Sequence, residues 1–332
     1  MNLMSMYLGV EIGGTKLQLG VGSGDGRIAA LWRGSVEPAR GAEGIRRQIV
    51  RALPELLSQA AVGRTELRGA AVGFGGPVDD ANHVVIKSHQ IAGWDNFPLA
   101  DWIAELVGSP AVLGNDADVA GLGEALFGAG KGCSPVFYIT LGSGIGGGLI
   151  IDGKIYRGAG RGAAEIGHLR VVVARDGSIE YLPLEQVASG WALGQLAARE
   201  KMRSRTHAEQ WRSVQGDDST LTARHVAAAA RNGHRGAQAI LALAWEALAE
   251  AICHVIALTA PRRIVIGGGV ALMGEELLFQ PLRQLVAERV FKPFADSYEI
   301  VPAALGEEMV LHGALALARQ RFPAAGDDTY SV

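Results

Sequence analysis

The sequence predicts an α/β protein of two lobes, each organised around a hairpin with a glycine turn. The chain has 332 residues, a length that as a prior suggests two domains. Apolar, strand-like runs alternate with segments of helical spacing along its whole length. A third observation is a repeat. Ile12-Gly13-Gly14-Thr15-Lys16 through Asp25-Gly26-Arg27-Ile28 is paralleled by Leu141-Gly142-Ser143-Gly144 through Asp152-Gly153-Lys154-Ile155. A glycine-turn hairpin followed by an Asp-Gly-basic-Ile turn therefore occurs twice, as an internal duplication would leave it. The 46 glycines gather at such turns, where a backbone bends sharply or approaches a ligand closely.

Leu8-Gly9-Val10-Glu11-Ile12 reads as a strand, Gly13-Gly14-Thr15 as a tight turn and residues 16–22 as the return strand, with Asp25-Gly26 a further hairpin turn. Residues 44–60 place Ile45, Ile49, Leu53, Leu56 and Leu57 on one helical face. A short buried strand over 69–72 runs into Gly73-Phe74-Gly75-Gly76-Pro77, followed by a helix over 99–107 and a strand over 111–113. A helical run over 117–127 follows Asn115-Asp116. The second half repeats the theme with a strand over 134–141, the turn Gly142-Ser143-Gly144, a return strand over 145–151 and a hairpin at Asp152-Gly153. Helices are expected over 185–200, 222–231 and 234–259. A strand over 263–266 enters Gly267-Gly268-Gly269, and a last helix covers 306–320. No linker separates the halves. The expected division is an N-terminal lobe of residues 1–113 and a C-terminal lobe of 114–332, with the last helix packing back on the first lobe.

Composition narrows the function. A net charge of −3 supplies no basic footprint for nucleic acid or an anionic membrane. Cys133 and Cys253 are the only cysteines, too few for a disulfide framework and in keeping with a reducing compartment. Residues 1–10 lack a signal-peptide pattern, and no apolar run reaches the ~18 to 20 residues of a membrane helix. A cytoplasmic, soluble protein is the expectation.

Gly142-Ser143-Gly144-Ile145-Gly146-Gly147 fits the Gly-x-Gly-x-x-Gly pattern of dinucleotide-binding folds. That pattern needs a following helix to hold the pyrophosphate. Here Leu149-Ile150-Ile151-Asp152-Gly153 follows, a strand and a hairpin, so the dehydrogenase reading fails. No P-loop exists either: Gly130-Lys131 is followed by Gly132. What remains is a pair of hairpin turns whose outward N–H groups can cradle phosphate oxygens from two sides. Glu11 or Asp116 could hold Mg²⁺, directly or through water, because Mg²⁺ favours carboxylates and retained waters.

Five stretches together resemble the ROK family of repressors and sugar kinases. They are Val10-Glu11-Ile12-Gly13-Gly14-Thr15-Lys16; Gly73-Phe74-Gly75-Gly76-Pro77-Val78-Asp79; Asn115-Asp116-Ala117-Asp118 with residues 123–130; residues 140–148; and Glu165-Ile166-Gly167-His168. Ile264-Val265-Ile266-Gly267-Gly268-Gly269-Val270 is similar to the family's adenine-side turn. The resemblance implies an actin-like ATPase (ribonuclease H-like) fold with its active site in the cleft between lobes. It implies an ATP-dependent hexose kinase making glucose 6-phosphate from glucose, with N-acetylmannosamine, N-acetylglucosamine or fructose as alternative substrates. On the same grounds Gly13, Gly14, Thr15, Lys16, Gly142, Ser143 and Gly144 face the ATP phosphates, and Gly267, Gly268 and Gly269 lie near adenosine. Gly76, Asn115, Asp116, Glu165, His168 and Glu185 would take the sugar, with Mg²⁺ arriving on ATP. A homodimer is expected.

Asn115 or Asp116 could simply cap the helix that follows. A carboxylate there can also accept the proton of a hexose hydroxyl, a poor nucleophile, as the phosphoryl group transfers. Asp116 is therefore the expected catalytic base. Glu165 and His168, three apart, would face the same way on a helical turn, and with Glu185 they offer the acceptors and amphoteric ring that suit vicinal hydroxyls. Lys16 and Arg161 are equally readable as solvated charges.

The chain departs from the family at its zinc site, which usually sits in a Cys-x-Cys-Gly-x-x-Gly-Cys run. No cysteine lies between His168 and Glu185. Two β-prone segments flank Asp176-Gly177 there instead, a hairpin signal. A self-supporting hairpin, buried through Val171, Val173, Ile179 and Leu182, is expected to replace the metal, and no zinc is expected. Gln90-Ile91-Ala92-Gly93-Trp94 stands where Asn-x-Pro-Gly-Trp is commoner, and Arg161 and Ala164 stand where glycines are common. A DNA-binding ROK regulator would need a helix-turn-helix ahead of the first hairpin, which begins by Leu8. A non-catalytic sugar sensor of the same fold is the other alternative, and the intact Asp116 speaks against it.

Overall fold

The computed structural model describes residues 5–88, 90–160, 162–175, 177–203, 205–216 and 220–324. Arg161 and Asp176 lie outside the described residues. Two compact units form, the first from the described parts of 1–134, 148–163 and 304–332, the second from 135–147 and 164–303.

In the first unit, β1 (Met6–Ile12) and β2 (Lys16–Gly22) make the first glycine hairpin, with Val10 opposite Leu19 and Ile12 opposite Leu17. The edge strand β3 (Ile28–Ser35) pairs with β2. Most of its residues are half-buried or exposed, and only Ala30 is buried, as befits a strand at the edge of the sheet. Helix α1 (Gly41–Gln59) buries Ile45, Ile49, Leu53, Leu56 and Leu57, the face its spacing predicts. It leads to β4 (Leu67–Phe74), parallel to β1. A small hairpin of β5 (Val78–Asp79) and β6 (Val84–Val85) and helix α2 (Leu99–Val107) precede β7 (Ala111–Asn115), parallel to β4. The sheet order is β3-β2-β1-β4-β7.

β7 runs directly into α3 (Asp116–Phe127), which packs on the last helix, α10 (Met309–Arg321). Their backbones touch: a Cβ on Gly313 would lie 1.7 Å from the Val119 carbonyl oxygen, and one on Gly123 2.4 Å from that of Met309. The same helix lies on β1 and β4, and Tyr7 Oη donates to the Phe322 carbonyl at 3.0 Å. The unit therefore extends to Ser134 and takes in the last helix, whereas the sequence pattern suggested a border at 113/114. The continuous β7–α3 connection and the glycine-mediated α3–α10 contact are the physical reason.

The second unit contains β8 (Val136–Leu141) and the start of β9 (Ile145–Ile151), which with β10 (Lys154–Ile155), β13 (Arg263–Gly267) and β14 (Glu299–Pro302) belong to a sheet of order β10-β9-β8-β13-β14. The sequence-predicted hairpin at 169–182 forms as β11 (Arg170–Arg175) against β12 (Ser178–Pro183). The expected 185–200 helix is two pieces, α4 (Glu185–Ala188) and α5 (Gly190–Lys201). Ser189 breaks it: fully buried and extended, it accepts the Ala192 N–H at 3.1 Å and so caps α5. Helices α6 (Arg205–Gln215), α7 (Ala223–Arg231), α8 (Arg235–Thr259) and α9 (Gln280–Arg289) follow. Among the described residues α8 is long and apolar enough, by length and composition, to cross a membrane, which corrects the sequence expectation. Leu241, Leu248, Ile252 and Ile256 are buried along it, with α4, α5, α7 and α9 packed around it.

Candidate active site

In the first unit the turn of the first hairpin is closed by the Gly13 N–H donating to the Lys16 carbonyl at 2.9 Å. The Gly75 N–H donates to the Ile12 carbonyl at 2.8 Å, which docks the end of β4 on that turn. A Cβ on Gly75 would lie 3.3 Å from that carbonyl and 3.4 Å from Asp116 Oδ2. Glycine thus lets the carboxylate of Asp116 stand directly beside the first hairpin. Asn115 fixes its direction. As the N-cap of α3, Asn115 accepts the Ala117 N–H at 2.9 Å while its amide donates to the Gly76 carbonyl at 3.0 Å. Asp116 Oδ1 accepts the same Ala117 N–H at 2.9 Å. Both side chains, alternatives for the cap on sequence alone, therefore share the Ala117 N–H at the start of α3.

Lys16 and Glu11 form an ion pair at 3.1 Å. The second Glu11 oxygen accepts from Gln18 Nε2 at 2.8 Å, and Lys16 Nζ also donates to the Glu307 carbonyl at 2.9 Å. Glu11 is 7% exposed, and burial pushes its carboxyl up while Lys16 and Gln18 pull it back. Both oxygens are committed, an arrangement suited to orienting Lys16 and poorly suited to ligating a metal directly. Gln90, a departure in sequence, lies over the turn: a Cβ on Gly14 would fall on its amide oxygen.

In the second unit the Gly142 N–H donates to the Gly144 carbonyl at 2.9 Å, and Ser143 is exposed at the tip. Helix α5 starts against this turn, with Gly190 N–H on the Gly142 carbonyl at 2.8 Å and Trp191 N–H on that of Ser143 at 3.2 Å. A Cβ on Gly190 would lie 2.7 Å from the Gly142 carbonyl oxygen and 3.2 Å from Val270. Gly268, at φ +90°, packs on the Leu141 carbonyl, where a Cβ would come within 2.4 Å. The second hairpin turn, the 267–269 turn and the start of α5 therefore pack together. Sequence reasoning missed two participants, the capping Ser189 and Trp191, which is 62% exposed beside the turn. The Ser189-Gly190 pair before a helical run was the available signal.

Glu185, a predicted sugar residue, accepts the Ile145 N–H at 2.8 Å, and its carboxylate fills the space above Gly144. The Ile145 carbonyl meets Gly167, where a Cβ would come within 2.0 Å. Gly167 belongs to the short 3₁₀ turn Ile166–His168, which Glu165 precedes. The Leu184 N–H donates to the Leu169 carbonyl at 2.8 Å and closes the hairpin behind it. The 3₁₀ turn, through Gly167, and the Glu185 carboxylate thus both meet the start of β9, and Glu165 and His168 at the ends of that turn are exposed. Among the described residues no group of three or more His, Cys, Asp or Glu side chains is placed to hold a metal ion.

The family model "ROK family" matches residues 7–321. A glucokinase of Thermotoga maritima is 33% identical over 95% of this chain and 97% of its own. Among solved structures, a ROK family glucokinase from Streptomyces griseus, in complex with glucose and AMPPNP, is 34% identical with a TM-score of 0.72, covering 95% of this chain and 99% of its own. A ROK hexokinase from Thermus thermophilus superposes with a TM-score of 0.79 at 26% identity, covering 95% and 98%. These matches extend over both units and carry the actin-like ATPase fold that the family resemblance implied. This chain belongs to the ROK family.

Proposed function

We propose that the protein is an ATP-dependent hexose kinase, with glucose as its first substrate. It transfers the γ-phosphoryl group of MgATP to the sugar 6-hydroxyl, giving glucose 6-phosphate and ADP. The observation that carries this is Asp116: a carboxylate aimed by a capped helix start and standing beside a glycine hairpin. In that position it can accept the hydroxyl proton as the phosphoryl group leaves ADP. The N–H groups around Gly13, Gly14, Thr15, Gly142, Ser143 and Gly144 take phosphate oxygens, with the Lys16 ammonium adding charge. Gly267, Gly268 and Gly269 take adenosine. Gly76, Asn115, Glu165, His168 and Glu185 take sugar hydroxyls. Mg²⁺ arrives on the nucleotide and neutralises charge on its phosphates, while Glu11 holds Lys16. Support comes from the glucokinases similar over 95% of this chain, one of them in complex with glucose and AMPPNP.

Asp116→Asn tests the assignment. The variant is expected to keep its fold and nucleotide binding while kcat falls about 10²- to 10⁴-fold, the range for a lost general base. Turnover near that of the parent would overturn it.

A further inference from the structure

We propose that Arg157 is a positioning residue for phosphoryl transfer: it locks the first turn of α3, and with it Asp116, to the β5–β6 turn. The proposal rests on Asp116 being the base. Arg157 lies just after β10, in the 148–163 segment that the first unit takes in. Its Nη2 is 3.0 Å from Asp80 Oδ1 and its Nη1 3.0 Å from Asp118 Oδ2. The side chains of Arg157, Asp80 and Asp118 are only 17%, 18% and 3% exposed.

Asp118 is the third residue of α3, within one turn of Asp116. Asp80 sits between β5 and β6, just beyond the Gly76-Pro77 bend. Asn115 already ties the start of α3 to Gly76. The Asp118–Arg157–Asp80 bridge ties the same helical turn to the β5–β6 turn, at the far end of β5. The two ties hold the backbone at Asn115 and Asp118, the residues that bracket Asp116 and Ala117. The bridge is not explained as a stabiliser, because a shielded ion pair repays little beyond its own desolvation. Its geometry asks for a planar fork: two N–H groups of one guanidinium reach two separate carboxylates, which a point-charge ammonium cannot match. Buried Arg157 Nε lacks a hydrogen-bond partner among the described residues, so the two carboxylates set the guanidinium's orientation.

A general base misplaced by a fraction of a bond length loses rate while substrate binding persists. Steady-state kinetics on Arg157→Met, Arg157→Lys and the triple variant Asp80→Asn/Asp118→Asn/Arg157→Met test this. Arg157→Met is expected to lower kcat about 10- to 100-fold, with the KM for ATP and for hexose within about threefold of the parent. Arg157→Lys recovers part of the loss. The triple variant has no buried charge left unpaired, so it keeps a melting temperature near the parent's and decides the matter should Arg157→Met fail to fold. Its kcat is expected to stay low. Parental kcat in the triple variant, full rescue by lysine, or a loss confined to KM would overturn the proposal. Asp116→Asn in the same assay separates the two readings. If it retains turnover, the base assignment falls; if it is inactive while the Arg157 variants are normal, only the positioning role falls.

Discussion

At Glu11 burial and charge oppose each other. Desolvation raises its pKa more than Lys16 and Gln18 lower it, so the folded state favours the protonated form more than the unfolded chain does. The sign follows by linkage: the folded state binds more proton between the two pKa values, and stability falls as pH rises through that window. Glu11→Gln, which imitates the protonated form, is expected to match or exceed the parent's melting temperature at neutral pH. The gap should close as pH falls toward the ordinary glutamate value of about 4.3. A gap that widens on acidification would contradict the burial argument. Glu165 and His168 are exposed, and each alanine variant is expected to raise the hexose KM about 5- to 150-fold, the ~1 to 3 kcal/mol of a hydroxyl left unpaired. The ATP KM should hold. Glu185→Ala should raise both constants, because that carboxylate also braces the Gly144 turn through Ile145. Asn115, Asp116 and the glycine turns were legible because their residue types are tied to local backbone geometry. Arg157 was not, since its partners lie at sequence distances no local pattern reports.

The β11–β12 hairpin shows how far an element can be read ahead of its packing. Two β-prone runs around a turn were visible, and the strands pair as expected, with Val171 opposite Leu182 and Ala174 opposite Ile179. Val171 and Val173 are buried at 1% and 2%, whereas Ile179, expected inside, is 70% exposed. Register decides this. Alternation puts Ile179 on the same face as Val172 and Tyr181, also exposed, and away from α8. The break at Ser189 was signalled only by the Ser189-Gly190 pair, since a serine that caps α5 otherwise looks, in sequence, like one more polar position in a helix. With its inner face supported by packing, the hairpin should need no metal. Purified protein is expected to contain well under one zinc per chain and to keep full activity in a strong chelator once Mg²⁺ is restored. Stoichiometric zinc with chelator-induced unfolding would contradict this, since structural zinc normally draws its four ligands from thiolates and imidazoles.

For the molecule as a whole, the repeated glycine hairpin gave the α/β class, and the alternation of strand and helix gave most of the element order. The division into units was harder to see. The return of the last helix was expected, but not that α3 would join the first unit through the backbone contacts of Gly123 and Gly313 with α10, because a glycine in a helix announces a close approach without saying to what. The function proposed for this fold is a reaction, and the direct test of it is product formation by the purified protein. ADP release coupled to a spectrophotometric readout, measured with MgATP and a panel of hexoses, is expected to show saturable turnover with glucose well above the no-sugar background, with glucose 6-phosphate formed one for one with ADP. ATP hydrolysis indifferent to every hexose, or no turnover at all in a folded, nucleotide-binding protein, would contradict the account.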